Sequence, residues 1–503
     1  MTRVWKVHPA LEITAVFSVP QPYLCSWKRV SPSESGCGVK QNLFQSHPAS
    51  AHQTVTEAIK LNTGAKTIRI LPTKQKLSAH AGQATFFGFL ALRKVRALVA
   101  GLLPHRPTSP NASQPVEIAL GFLAGILAGA DKLARIAHLR GDPVLPAIME
   151  VRRLPSQSTL SRFLACFDGA GKNLRCFRAL WRWGMERLPS RREGYTLDLD
   201  STALLHEDGQ QEGVRVGHTR CGLKPCLQPL LAVLEEAKLV AQFWLRPGHA
   251  HGTSNVIAFT LDLLDNLPRH LRLRLIRADS GFHYDPWLAL LEAKGLRYIV
   301  VADLSRRLQS FIKKETHWEP TPMAGVEVAD IVYESDSATR PRRMILMRRR
   351  VGTAGGGKLL IDCPGYKYQA LLTNLPERVS ALEVWRDYNG RAGIESVIKE
   401  LKQGFGLPGL CCKKFFATEA ALSLCVFTYN LTVLFARHLG WLDRVSIGTL
   451  RYRLFGCAGI ISRAQGVTTL KLGIPPPHRA WWEQIWAKLL SPLPNCNAVA
   501  QTP

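Results

Sequence analysis

Acidic residues are scarce in this chain. Across 503 residues, 38 Asp and Glu stand against 65 Lys and Arg, a formal net charge of +27 and a pI near 9.9. Apolar residues make up 46%, enough for a sizeable core. That much positive charge on a chain with an ordinary core points to a polyanionic partner, most often nucleic acid. Paired cysteines are also missing. None of the twelve forms a CxxC; Cys221 and Cys226 lack a histidine at zinc spacing, and Cys411 and Cys412 are neighbours in a basic loop. This argues against a zinc ribbon or a disulfide framework and for reduced thiols in the cytoplasm. The opening MTRVWKVHPALEITAVF has neither a clean apolar core nor a small-residue cleavage site, so no secretory signal is expected. Long apolar runs are few. Residues 118–130 are too short to span a bilayer, and 420–434 carry Tyr429, Asn430 and Thr432, so both read as buried helices. Outside them we find no basic amphipathic helix suited to a membrane surface, and no internal repeat or long low-complexity tract.

The chain is too long for one ordinary domain and divides by pattern. Residues 1–80 are rich in Pro, Ser, Gly and Gln and read as a poorly ordered or weakly folded extension. Residues 81–190 read as all-helical. Within them PSQSTLSRFLACF has Ser156 or Ser158 as a cap and presents Thr159 and Arg162 outward. A helix-turn-helix bound to DNA fits this stretch, and so does a plain helical bundle. Strands begin at Tyr195, where YTLDLDST alternates Tyr195, Leu197 and Leu199 with Thr196, Asp198 and Asp200. Over 194–303 the order β-β-β-α-β-α-β is that of an RNase H-like α/β sheet. Residues 304–376 break the rhythm with four further strands and read as a β-rich insertion. The core resumes at 377–440, and 441–503 form a tail with an aromatic helix.

The densest chemistry lies in YNGRAGIESVIKELK. Tyr388, Arg391, Glu395 and Lys402 follow the spacing Y-x2-R-x3-E-x6-K. At about 100° per residue they fall within about 60° of one another on a helix, with Lys399 near the same stripe. Ile394, Val397 and Leu401 point to a core. A solvated face with an Arg391–Glu395 ion pair would give the same pattern. Asp200 and Asp279 each end a strand, and each could equally be a turn residue. If they meet Glu395, the three form an oxygen cage for Mg²⁺ or Mn²⁺.

LDLDST, RADSGF and YNGRAGIESVIKELKQGF, with RPGHAHGTSN and KPCLQPLLAVL, make the chain resemble DDE-type transposases of bacterial insertion sequences, in the subgroup with the Y-x2-R-x3-E-x6-K signature. The resemblance runs from about Leu77 to Leu454. It implies an α/β fold with an RNase H-like catalytic core interrupted by a β-rich insertion; the all-helical region before the core is the expected DNA-binding region from its own pattern. It implies Asp200, Asp279 and Glu395 as a catalytic triad holding two Mg²⁺ (or Mn²⁺) ions, with Tyr388, Arg391 and Lys402 on phosphates. Asp198 shares a strand face with Asp200, and Asp200 is preferred because the first Asp of the family is followed by Ser/Thr-Thr. The implied partners are double-stranded DNA, both terminal repeats and target, and a second copy of the chain in a synaptic dimer. No membrane is expected, and the location is cytoplasmic, at the nucleoid when bound. The rival readings are an RNase H-like nuclease without strand transfer and an inactive DNA-binding copy.

Overall fold

The computed structural model describes residues 59–491, apart from 63–66, 106, 110, 208, 315, 335–339, 353–356, 361–362 and 442–444. The chain divides into two units at Gln75–Lys76. Residues 1–58, most of the expected N-terminal extension, lie outside the described residues. In the first unit Ile59–Asn62 pairs antiparallel with Thr67–Ile70.

The second unit is built on a ten-stranded mixed sheet. Its main strands are β1 (Tyr195–Ser201), β2 (Leu230–Leu234), β3 (Leu239–Trp244), β4 (Leu273–Ala278), β5 (Tyr298–Val301), β6 (Val326–Tyr333), β7 (Arg342–Arg350) and β8 (Cys363–Thr373). They lie in the order β6-β7-β8-β5-β4-β1-β2-β3, with Glu319–Pro320 beyond β6 and Lys358–Leu360 pairing with β8. β1, β4 and β5 are parallel; β2 and β3 run back as a hairpin beside β1. The strands of the β-rich stretch do not fold apart. β8 pairs antiparallel with β5, so β6, β7 and β8 lengthen the same sheet. That stretch also holds a helix, Arg306–Lys314, which the strand pattern did not suggest.

Alternation in YTLDLDST leads one to expect one polar, wet face. In the structure β1 is central and its first five residues are buried on both sides. Thr196 and Asp198 are therefore inside, and Asp198 must find a charged partner there.

The helices used below are α1 (Pro115–Ala128), α2 (Gln157–Ala165), α3 (Ala170–Met185), α4 (Val256–Asn266), α5 (Asp285–Ala293), α6 (Ala381–Asn389), α7 (Ala392–Gln403) and α8 (Phe415–His438). α1 starts with Pro115 in its first turn and a Gln114–Glu117 capping box, and ends on Gly129 at φ 102°. α2 starts where Ser156 Oγ accepts from the Thr159 N–H at 3.2 Å. α3 and α8 pack on β3, and α2 packs on α1 and α8, so the helical stretch and the sheet share one apolar core. On the other face Val384 and Trp385 of α6 join Leu275, Ile299, Ile345 and Leu371 in a smaller cluster.

α8 has 24 residues and is long and apolar enough to cross a membrane, but most of it is buried inside the fold. Its polar residues serve the sheet. Where the β2–β3 register shifts, Asn430 Oδ1 accepts from Val240 N at 2.9 Å and its Nδ2 donates to Val240 O at 2.8 Å. The tail folds back as well: Gly459–Ala464 pairs with Val467–Leu472 on one side and with Leu77–Ser78 on the other.

Candidate active site

β1 and β4 are parallel neighbours, so their carboxyl ends lie on the same edge of the sheet, where ligands of such sheets are bound. Asp200 lies at the end of β1 with a side chain 13% exposed. Asp279 follows β4 and is 43% exposed; its Oδ1 accepts from the Gly281 N–H at 3.1 Å, which caps the turn Ser280–Phe282. Two residues back from Asp200, Asp198 is fully buried and locked to Arg277, with Nε–Oδ1 at 2.6 Å and Nη2–Oδ2 at 2.8 Å. The β1–β4 register sets Asp198 directly against Arg277. Both Asp198 oxygens are thereby used inside the sheet, whereas Asp200 faces the open edge.

The expected single helix through the signature is two helices. Tyr388 belongs to α6, Glu395 and Lys402 to α7, and Gly390 and Arg391 form the junction. At the break Arg277 Nη1 donates to the Asp387 carbonyl that a continuous helix would offer to the Arg391 N–H. The Arg391 N–H turns to Tyr388 O instead, at 2.9 Å. A Cβ on Gly390 would lie 2.5 Å from Arg277 Nη1, so the guanidinium would have to shift from the Asp387 carbonyl to admit it. α7 itself buries Ile394, Val397, Ile398 and Leu401, as its apolar stripe requires.

Arg391 is buried, with 8% of its side chain exposed. Its Nη2 donates to Leu199 O at 3.0 Å and lies 3.3 Å from Asp200 Oδ2 and 3.8 Å from Asp279 Oδ2. Burial pushes the Asp200 carboxyl up to about 6; Arg391 pulls it down, while Asp279 and Glu395 repel its charge and push it further up. Lys402 Nζ donates to Ala203 O at 2.8 Å, just past the end of β1. Burial lowers its pKa, Arg220 adds to this, and Asp200 opposes it. Tyr388 is partly buried against the smaller cluster, beside Arg391. Glu395 and Lys399 are exposed. Arg162 is exposed on α2, its Nε donating to Ser158 O at 3.3 Å, on an element other than those that carry the carboxylates.

Other residues hold this edge together and had little signal in the sequence. Arg246 is almost fully buried and donates to the backbone carbonyls of Gln228 (3.0 Å), His251 (2.8 Å) and Ser254 (2.8 Å), tying down the loop 247–255. Gly252 of that loop packs against the Gly281 backbone with no room for a Cβ. The Gly-rich RPGHAHGTSN was its one trace in the sequence. Arg277 had none, since only the register reveals its partner.

Among the described residues, no three His, Cys, Asp or Glu side chains stand close enough together to hold a metal ion. The donor chemistry nevertheless fits a hard divalent cation. Two carboxylates turn their Oδ2 atoms toward a shared cationic group, the place a divalent ion would take.

The family model described as Transposase DDE domain group 1 matches residues 63–494. Among solved structures, one similar to the chain is piggyBac transposase in a synaptic complex with hairpin DNA, at 12% identity and a TM-score of 0.41, over 76% of this chain and 81% of that one. No curated protein matches the chain.

Proposed function

Because this chain belongs to the Transposase DDE domain group 1 family, we propose that it binds the ends of an insertion sequence, cleaves phosphodiester bonds there and joins the freed 3′-hydroxyls to target DNA. The observation that carries this reading is the meeting of Asp200 and Asp279 from adjacent parallel strand ends at one cationic point. The strand order β3-β2-β1-β4-β5, antiparallel then parallel, supports an RNase H-like core. Members of the family normally use divalent metal ions. Asp200, Asp279 and Glu395 would hold two such ions, Mg²⁺ or Mn²⁺. Once bound, the ions would activate the attacking oxygen and stabilise the leaving one.

The chain's own residues supply position and charge. The Leu199 carbonyl and the two aspartates orient Arg391, and the Ala203 carbonyl orients Lys402 beside the same strand end. Lys402 and exposed Lys399, with Tyr388 beside them, would make a border along which a phosphate backbone can lie. Arg162, the one basic residue of a capped helix, is the proposed reader of the terminal repeat. The synaptic species would be a homodimer, working at the nucleoid in the cytoplasm.

The test is an assay with labelled DNA from the flanks of the element, Mg²⁺ and the single variants Asp200→Asn, Asp279→Asn and Glu395→Gln. Each should keep DNA binding, because cations supply most of the affinity, and lose cleavage by orders of magnitude. Nicking by all three amide variants would refute the mechanism. Cleavage without strand joining by the wild type would reduce the protein to a nuclease.

A further inference from the structure

We propose that Arg391 is the resident counter-cation of Asp200 and Asp279, and that a divalent ion binds by displacing it. The inference rests on the reading of these carboxylates as metal ligands and adds a state that precedes metal binding.

The geometry gives Arg391 the place a cation would take. Its Nη2 lies 3.3 Å from Asp200 Oδ2 and 3.8 Å from Asp279 Oδ2. A buried carboxylate with no cation is strongly disfavoured, and Asp200 is nearly buried. Without metal, a guanidinium at this point keeps the pair of like charges together. An ion bound to the same oxygens at about 2 Å would compete with Nη2 for them and repel its charge.

Two observations make this a position that Arg391 can leave. Its Nε is buried without a hydrogen-bond partner, so the present arrangement leaves one of its donors unmet. Its backbone lies at the junction of α6 and α7 rather than inside a helix, where Arg277 holds the Asp387 carbonyl. Displacement costs Arg391 one hydrogen bond, from Nη2 to Leu199 O at 3.0 Å, and frees its donors for an anion beside the metals. The one guanidinium would thus serve the carboxylates first and a phosphate second.

The experiment is Mn²⁺ binding to the full chain, without DNA, followed by electron paramagnetic resonance. Wild type, Arg391→Gln, Arg391→Lys and Asp200→Asn are compared. If Arg391 occupies the ion's position about nine-tenths of the time, removing its charge should tighten Mn²⁺ binding about tenfold. Arg391→Lys, which keeps the charge, should stay closer to the wild type. Asp200→Asn should weaken binding. Equal affinity in wild type and Arg391→Gln, or weaker binding in the variant, overturns the proposal while leaving the metal reading intact. No Mn²⁺ binding by any of the four removes the metal reading and this proposal together. If Arg391→Gln does not fold, a structure of the wild type with Mn²⁺ decides. A guanidinium moved beyond hydrogen-bond reach of both aspartates supports displacement, and one still at its present distances with Mn²⁺ bound refutes it.

Discussion

Replacing Asp198 by Asn separates the two aspartates of LDLDST by their physical roles. Asp198 and Arg277 are a bidentate pair inside the sheet, with side chains 0% and 4% exposed. The substitution keeps the size of the side chain and removes its charge. It leaves a buried guanidinium whose remaining partner is the neutral Asp387 carbonyl. Breaking a buried pair by removing one partner costs about 3–5 kcal/mol, and the Asn oxygen can still accept one hydrogen bond, so the low end is expected. At an unfolding entropy of about 2 cal/mol/K per residue, a unit this long loses roughly 1 °C per kcal/mol, so the melting temperature should fall by about 3 °C. Urea unfolding should show the same loss as a lower midpoint. Because Arg277 also holds the Asp387 carbonyl at the break in the signature helix, the loss should extend to the α6–α7 junction, read as faster hydrogen exchange around Gly390. A paired variant, Asp198→Leu with Arg277→Met, should recover much of the stability, since an apolar pair of similar volume often replaces a buried ion pair without loss. DNA cleavage per folded molecule should change far less than with Asp200→Asn. The opposite result, full stability with cleavage abolished, would make Asp198 the reacting carboxylate and refute this assignment.

Three further expectations follow from the same geometry. Gly390→Ala places a Cβ against Arg277 Nη1 and should destabilise the chain by about 1–3 kcal/mol, seen as a lower urea midpoint; unchanged stability would mean that Arg277 does not hold the Asp387 carbonyl. Lys402→Ala should lower the slope of log K against log salt for DNA binding by about 1, alike on all sequences, and an unchanged affinity and slope would reduce Lys402 to a clasp on the Ala203 carbonyl. Arg162→Ala should weaken binding to the terminal repeat more than to random DNA in a competition assay; equal loss on both would make Arg162 a backbone contact, and no loss would remove α2 from the interface.

Much of the site was legible in the sequence because its determinants are local. The alternation in YTLDLDST announces β1, and the stripe Ile394, Val397 and Leu401 announces the buried face of α7. Ser156 or Ser158 announces the start of α2, the structure choosing Ser156, and the apolar length of α8 announces a buried helix. Each follows from a period of two or of 3.6 residues, or from one capping side chain, and needs no knowledge of distant residues. What only the tertiary structure decided depends on partners far apart in the chain. The pairing of β8 with β5, which merges the β-rich stretch into the main sheet, is a choice among strand edges that periodicity cannot make. The return of Gly459–Ala464 to Leu77–Ser78 is another such choice. The burial of Asp198 follows from β1 being central, and its partner from the β1–β4 register. That same Arg277 holds the Asp387 carbonyl at the break in the signature helix, and Arg391 stands between Asp200 and Asp279. The sequence lists the charges of this site; which of them neutralise one another is decided by a buried environment in which each must have a partner.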